Sequence, residues 1–406
     1  MTRIALVTHG FALGGGVPTI AQWLQESLTA HGGYSVDIHD LATSRTDPAS
    51  RRLTSPSSWR RPSLRGEGRH PVPHQNWGAN AVEVEVMRYH RRRELTETLR
   101  GYDLIQVVAG SPAWAAPVLG CGRPVVVQVA TTAAWERAVT GSESGFALRR
   151  WRELMTALTS RIESAALGGA DVVLVENDAM LDRVHAGGHP RAWKVAPGID
   201  TGTFVPAASG WCHDGPLLTV CRLNDSRKNL ELMVRAYGHL VERRGASPPL
   251  ILAGYGSIPP ALGHLIHRLG LTGRIRVCAD VTRVDLVRLY QQASIFLQTS
   301  AEEGLGIAVL EAMACGLPVV ATATHGTRET VIDGETGWLV EPATPDVVKA
   351  VADKVEIALD SGGSRAGLRG RARCVAEFSA DAGLRRFLDV YDAVLHRRSA
   401  VMSGPA

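Results

Sequence analysis

Glu303-Gly-Leu-Gly-Ile-Ala-Val-Leu-Glu311, continued by Ala-Met-Ala-Cys-Gly-Leu-Pro-Val-Val320, sets two carboxylates eight residues apart. A Gly-x-Gly turn follows the first, and an apolar helical run carries the second. A helix starting near Leu305 turns its first backbone N–H groups toward whatever lies over the turn, and its dipole favours an anion there. Glu311, about two helical turns beyond Glu303, falls on roughly the same face and reaches the same ligand from further down. A phosphate at the helix mouth, with hydroxyl-accepting carboxylates on either side, describes a pocket for a nucleotide sugar.

Around this stretch the apolar runs 217–220, 250–253, 275–277, 295–298, 319–321 and 337–340 read as strands with helices between them, an α/β series. An earlier series has strands expected at 4–8, 36–39, 104–108, 125–129, 172–175 and 194–196. Its first strand runs through Gly14-Gly15-Gly16 into a helical segment at 18–30, the opening of a doubly wound domain. Another helix is expected at 151–166. Segment 206–210 reads as the linker. The last long helix, about 380–397, follows the second series and could cross back to the first domain. Residues 43–77, rich in Ser, Pro and Arg and without periodicity, are either a long surface loop or a partly disordered insertion.

Bulk properties agree with two domains. A chain of 406 residues exceeds one ordinary core, and 45% hydrophobic with 21% charged residues suits a soluble globular protein. A net charge of +4 demands neither nucleic acid nor membrane, and Arg60-Arg61 and Arg91-Arg92-Arg93 read as solvated faces. The 40 arginines against 4 lysines reflect GC-rich coding, as in actinomycetes. Six scattered cysteines without a C-x-x-C pair are expected to be small core residues in a reducing compartment. With no signal-like leader and no run of about 18 apolar residues, a cytoplasmic protein without an integral membrane segment is expected.

In Val220-Cys-Arg-Leu-Asn-Asp-Ser-Arg-Lys-Asn229, Arg222 and Lys228 follow the first strand of the second series just ahead of a helix. Two cations there suit a diphosphate and the negative charge that develops on a leaving nucleotide. Lys228 is conspicuous as one of only four lysines.

These stretches resemble the family 4 glycosyltransferases, retaining enzymes with the α/β GT-B fold of two facing Rossmann-like domains and an interdomain cleft. The resemblance runs through 218–229, 252–257, 289–300, 302–322, 333–342 and 378–391, covering most of 195–391. The first half matches more loosely, through its opening strand and glycine loop. The implied domains are 1–205 for the acceptor, with a C-terminal helix at about 381–400 packing back on it, and 206–380 for the nucleotide-sugar donor.

The resemblance also implies roles. Glu303 would bind donor-sugar hydroxyls and Glu311 the ribose, while Arg222 and Lys228 would grip the diphosphate. Backbone amides of Gly304, Leu305, Gly306 and Ile307 would contact phosphate and sugar, and Gly15 and Gly16 would let the backbone approach the phosphates. Glu303, Lys228 and Arg222 are the candidate catalytic residues. The family's reaction is pictured as a front-face displacement, in which positioning and charge stabilisation do the work. One departure concerns the strand at 125–129, after which relatives often carry a His near the donor sugar. Here Gln128-Val-Ala-Thr-Thr132 stands instead, so Ala130, Thr131 and Thr132 are expected to line an altered pocket. His9 either faces the acceptor or is a hydrogen-bonded structural His.

No D-x-D occurs, so a metal is not indicated and Arg222 and Lys228 would take over that electrostatic task. The glycines complete neither a Walker loop nor G-x-G-x-x-G, which argues against a nicotinamide-dependent enzyme. The expected reaction moves a sugar from a UDP, GDP or dTDP donor, the first two favoured, to a small soluble acceptor, in natural-product or thiol-cofactor biosynthesis. Alternatives are a lipid-linked acceptor, for which Trp59-Arg-Arg and Tyr89-His-Arg-Arg-Arg are candidate membrane patches, a GT-B nucleotide-sugar epimerase, or a non-catalytic binding protein. No nucleic acid is expected; a homodimer is left open.

Overall fold

The computed structural model describes residues 1–13, 15–69, 72–138, 146–245 and 247–402. Contacts divide the chain into two units, Met1–Pro197 with Gly383–Ala406, and Gly198–Ala382.

The first unit is built on eight strands: β1 (Thr2–His9), β2 (Tyr34–Leu41), β3 (Arg65–Gly68), β4 (His74–Trp77), β5 (Leu104–Ala109), β6 (Val125–Val129), β7 (Val172–Val175) and β8 (Ala192–Lys194). They lie in the order β3-β4-β2-β1-β5-β6-β7-β8, parallel except for β3 against β4. Ile4, Ala5, Leu6 and Val7 are all fully buried. Consecutive strand residues point to opposite faces, so both faces of β1 are covered and the run is continuously apolar.

The helix Gly16–His31 buries Ile20, Ala21, Trp23, Leu24 and Leu28, a stripe at helical spacing. Trp23 meets Phe387 of the last helix, Ala380–Met402, edge-on at 5.7 Å. From the same helix, Tyr391 donates from its hydroxyl to Gln106 Oε1 on β5 at 2.9 Å. These contacts tie the end of the chain to the first unit.

The second unit holds β9 (Leu217–Arg222), β10 (Leu250–Tyr255), β11 (Ile275–Ala279), β12 (Ile295–Gln298), β13 (Val319–Thr322) and β14 (Gly337–Val340). They form a fully parallel sheet in the order β11-β10-β9-β12-β13-β14. The order reverses between β9 and β12. In a doubly wound sheet the crevice at the carboxyl ends of those strands is where ligands bind.

Several expectations change. The expected loop at 43–77 is only part of the segment: 43–64 is largely turns and loop around the short turn Pro56–Arg60, but β3 and β4 extend the sheet, and Ser50, Ser58 and Trp77 are buried. The polar sequences of β3 and β4, Arg-Gly-Glu-Gly and His-Gln-Asn-Trp, concealed the pattern. Trp77 donates from Nε1 to His39 Nδ1 at 3.1 Å, and His39 Nε2 meets the Tyr102 hydroxyl at 3.1 Å. Because that hydroxyl donates to Asp37 Oδ2 at 2.8 Å, the ring of His39 is neutral with its proton on Nε2. Burial pushes its pKa down to about 4.

Segment 206–210, read as linker, lies inside the second unit. Phe204 just ahead of it packs edge-on against Tyr290 at 5.9 Å, and Arg371 Nη1 donates to its carbonyl at 2.8 Å. The strand expected at 194–196 is Ala192–Lys194. Arg92, read as solvated, is buried and holds the carbonyls of Gly78 and Arg88. Cys212 is exposed rather than in the core.

Candidate active site

At the switch point of the second unit, β9 ends on Arg222 and runs into the turn Ser226–Lys228. Asn229 closes the turn with a left-handed φ of 47° and caps the helix Leu230–Arg244. Asp225 organises the cations. It bridges Arg222 Nη2 at 3.2 Å and receives Arg227 Nε at 3.1 Å and Nη2 at 2.8 Å. Burial opposes its ionisation, but the hydrogen bond and charge of Arg227, with the charge of Arg222, hold its carboxyl below the usual range.

Across the sheet, the loop after β12 brings Glu303 onto Lys228, Nζ to Oε1 at 2.5 Å. The same oxygen accepts from Gln298 Nε2 at 2.6 Å and from Ser300 Oγ at 2.7 Å. Both members of the ion pair are largely enclosed, with 18% and 11% of their side-chain surfaces exposed. Three donors on one oxygen fix the carboxylate in place, and charge-assisted bonds are the strong ones. The loop is itself clamped: Thr322 Oγ1 donates to Ser300 O at 2.5 Å, Ala301 N to Arg227 O at 2.8 Å, and Gly326 N to Glu303 O at 3.0 Å.

The helix begins at Ile307, two residues later than expected, because Gly306 takes a φ of 88° and caps it. Glu303 therefore sits in the loop, and helical spacing does not relate it to Glu311. Glu311 instead accepts from the Tyr290 hydroxyl at 2.8 Å. Desolvation raises its pKa to about 7 against the opposing bond from Tyr290, although the residue keeps partial solvent access. The amides of Ile307 and Ala308 belong to the first turn, which a helix leaves without intrahelical acceptors. A side chain at Gly326 would fall 2.6 Å from Leu305 N, so only glycine lets the next helix, His325–Thr330, approach this loop.

In the first unit, His9 ends β1. Its Nε2 accepts from Gly110 N at 3.2 Å, and its ring stacks on Trp114 at 4.4 Å. The carbonyl of Gly110 receives the amides of Ala130 at 3.1 Å and Thr131 at 3.0 Å, so the ends of β1, β5 and β6 form one knot. Thr131 is buried with no partner for its hydroxyl among the described residues, Thr132 receives Trp135 N at 3.3 Å, and Gln128 is buried against Glu176 at 3.1 Å. Gly15 has a φ of 106° at the head of the helix Gly16–His31, and space for a side chain is open at Gly16. Gly14 lies outside the described residues.

Sequence reading missed the partners of Glu303, namely Gln298 and Ser300, and the role of Asp225. Ser300 and Gln298, three and five residues ahead of the carboxylate, were visible as polar residues closing an apolar strand.

Two doubly wound units, the second carrying cations and a clamped carboxylate at its switch point, define the GT-B class. Among solved structures, sucrose-phosphate synthase from Thermosynechococcus elongatus superposes with a TM-score of 0.71 over 98% of this chain and 100% of that one, at 21% identity. Anabaena Alr3699/HepE, solved with UDP and glucose, gives 0.69 over 97% and 100%, at 15% identity. These likenesses show a shared fold.

Residues 213–374 match the family described as glycosyl transferases group 1. The D-inositol 3-phosphate glycosyltransferase of Xylanimonas cellulosilytica is 32% identical over 239 residues, 55% of this chain and 54% of that protein. The GDP-mannose-dependent alpha-(1-6)-phosphatidylinositol monomannoside mannosyltransferase of Mycolicibacterium smegmatis is 30% identical over 175 residues, 39% and 46% of the two chains. The chain spans about half the length of the curated relatives it matches.

Proposed function

We propose that the protein is a retaining, metal-independent glycosyltransferase that moves a sugar from UDP- or GDP-sugar to a small soluble acceptor. The observation that carries this reading is the Lys228–Glu303 pair at the switch point of the group 1 domain. Donor binding would pull Lys228 onto the diphosphate and free Glu303 for sugar hydroxyls, while Arg222 holds the second phosphate charge. Amides of Gly304, Leu305, Gly306 and Ile307 would add contacts to phosphate and sugar, and Glu311 would take the ribose. The positive charges of Arg222 and Lys228 would stand against the leaving diphosphate in place of a metal, in a chain with no D-x-D. Retention would follow from a front-face displacement, in which the departing phosphate oxygen takes the acceptor's proton.

His9, Ala130, Thr131 and Thr132 would line the acceptor side. The names of the curated relatives make a phosphorylated cyclitol the first acceptor to try, ahead of the natural-product acceptors that the composition suggests.

A second reading, a lipid-linked acceptor, has its own observation. Leu148, Trp151 and Leu154 stand 49%, 53% and 51% exposed on one side of the helix Phe146–Gly169, beside Arg149, Arg150 and Arg152. Of the patches expected from sequence, Trp59 is exposed but Tyr89 is buried. Against this reading, Arg149 and Arg150 are both paired with Glu153. Among the described residues no helix is long and apolar enough to cross a membrane.

The test is transfer from UDP- and GDP-sugars, with EDTA present, to inositol 3-phosphate or to phosphatidylinositol in vesicles, with the product's anomeric configuration read by NMR. The proposal expects retained configuration on the soluble acceptor. Inversion, dependence on a divalent metal, or transfer to the vesicle acceptor alone contradicts it.

A further inference from the structure

A cavity of about 640 Å³ opens in the first unit between the helix Phe146–Gly169 and the helix Asp178–Ala186. Its size is that of a small-molecule pocket. Glu163 lines it and is only 3% exposed. Glu163 Oε1 accepts from Ser111 Oγ at 2.7 Å and from Ala133 N at 2.8 Å. Those bonds tie the loops after β5 and β6, but they occupy one oxygen; no described residue donates to Oε2. Desolvation raises the pKa of Glu163, against the bonds from Ala133 and Ser111 and the charges of Arg183 and Arg137.

The other walls narrow what the cavity can hold. Thr132, Ser160 and Ser164 supply hydroxyls, Leu167 and Pro112 apolar surface, and Arg183 sits with its guanidinium over the Trp135 ring at 5.7 Å. An anion would meet Glu163 and Asp182, and a cation would meet Arg183. An apolar guest would leave Glu163 Oε2 without a donor. A neutral molecule that carries several hydroxyls on an apolar ring suits Glu163, the three hydroxyls and the apolar surface together.

We propose that this cavity binds a polyhydroxylated small molecule, a monosaccharide or cyclitol, whose hydroxyl groups donate to Glu163 Oε2. The site stands on the first unit's own residues and does not depend on the nucleotide reading of the second.

The test is titration of the full chain at pH 8 with glucose, mannose, N-acetylglucosamine and myo-inositol, followed by calorimetry and saturation-transfer NMR. At least one probe should bind the wild type, and Lys228→Ala should bind it equally, because that change touches only the proposed donor site. Glu163→Gln, which keeps the shape and the acceptor for Ser111 and Ala133, should weaken binding about tenfold through loss of the charge-assisted bond. Ala186→Trp fills the cavity from an exposed rim position and should abolish binding without unfolding the chain. Absence of binding by all four probes overturns the proposal. So does binding that Glu163→Gln and Ala186→Trp leave unchanged, or that Lys228→Ala removes.

Discussion

The two sheets reverse their strand order at comparable places but furnish the exposed ends differently. In the second unit the ends of β9 and β12 carry charge: Asp225 pairs with Arg222 and Arg227, and Glu303 with Lys228. In the first unit the ends of β1, β5 and β6 carry a His stacked on a Trp and amides converging on one carbonyl. A charged edge suits a charged ligand that must lose water at some cost. In the proposed reaction the second unit would take the nucleotide diphosphate and the first the acceptor.

The comparison can be broken from either side. On the packing side, Trp77 is fully buried and holds β4 to β2 through His39. Trp77→Ala is expected to cost about 3–5 kcal/mol in chemical denaturation. A cost under about 1 kcal/mol would mean that the 43–77 region is an appendage.

On the charged side, Lys228→Ala and Glu303→Ala should each lower transfer about 10²–10³-fold with circular dichroism unchanged. Near-normal turnover in both would remove the charged edge from the reaction.

The smallest effect concerns the loop after β1. Asp40 is buried and accepts from Phe11 N at 3.1 Å. Desolvation raises its pKa from 3.8 to about 7, against the backbone bonds that favour its ionised form. The native state therefore binds the proton more tightly than the unfolded chain, and stability falls as pH climbs from about 4 through 7. Asp40→Asn should remove that part of the slope, so that the stability difference between variant and wild type shifts by about 1–3 kcal/mol in the variant's favour between pH 4 and pH 8. A pH-independent difference would show that Asp40 ionises freely.

Sequence legibility follows the same divide. Strands 125–129, 172–175, 295–298 and 337–340 appear where apolar runs place them, because buried parallel strands must be apolar on both faces. Arg65–Gly68, at the sheet edge, needs no such pattern, and His74–Trp77 beside it is short and mostly polar, so neither left a signal. Glu303 and Lys228 were legible as residues, but their pairing joins positions 75 apart, which no local spacing encodes. Glu163 sits on a long helix with nothing in its sequence neighbourhood to mark it. Its burial depends on Ser111 and Ala133, contributed by two other segments. The exposed stripe Leu148, Trp151, Leu154 could have been read from its three-residue spacing.

The central claim, that the charged edge of the second unit holds a nucleoside diphosphate, is tested most directly by calorimetric titration of UDP, GDP and dTDP with EDTA present. Wild type and Lys228→Ala would be compared. The account predicts micromolar binding of UDP or GDP by the wild type and at least tenfold weaker binding by the variant. Binding of no nucleotide, or equal binding by both proteins, would contradict it.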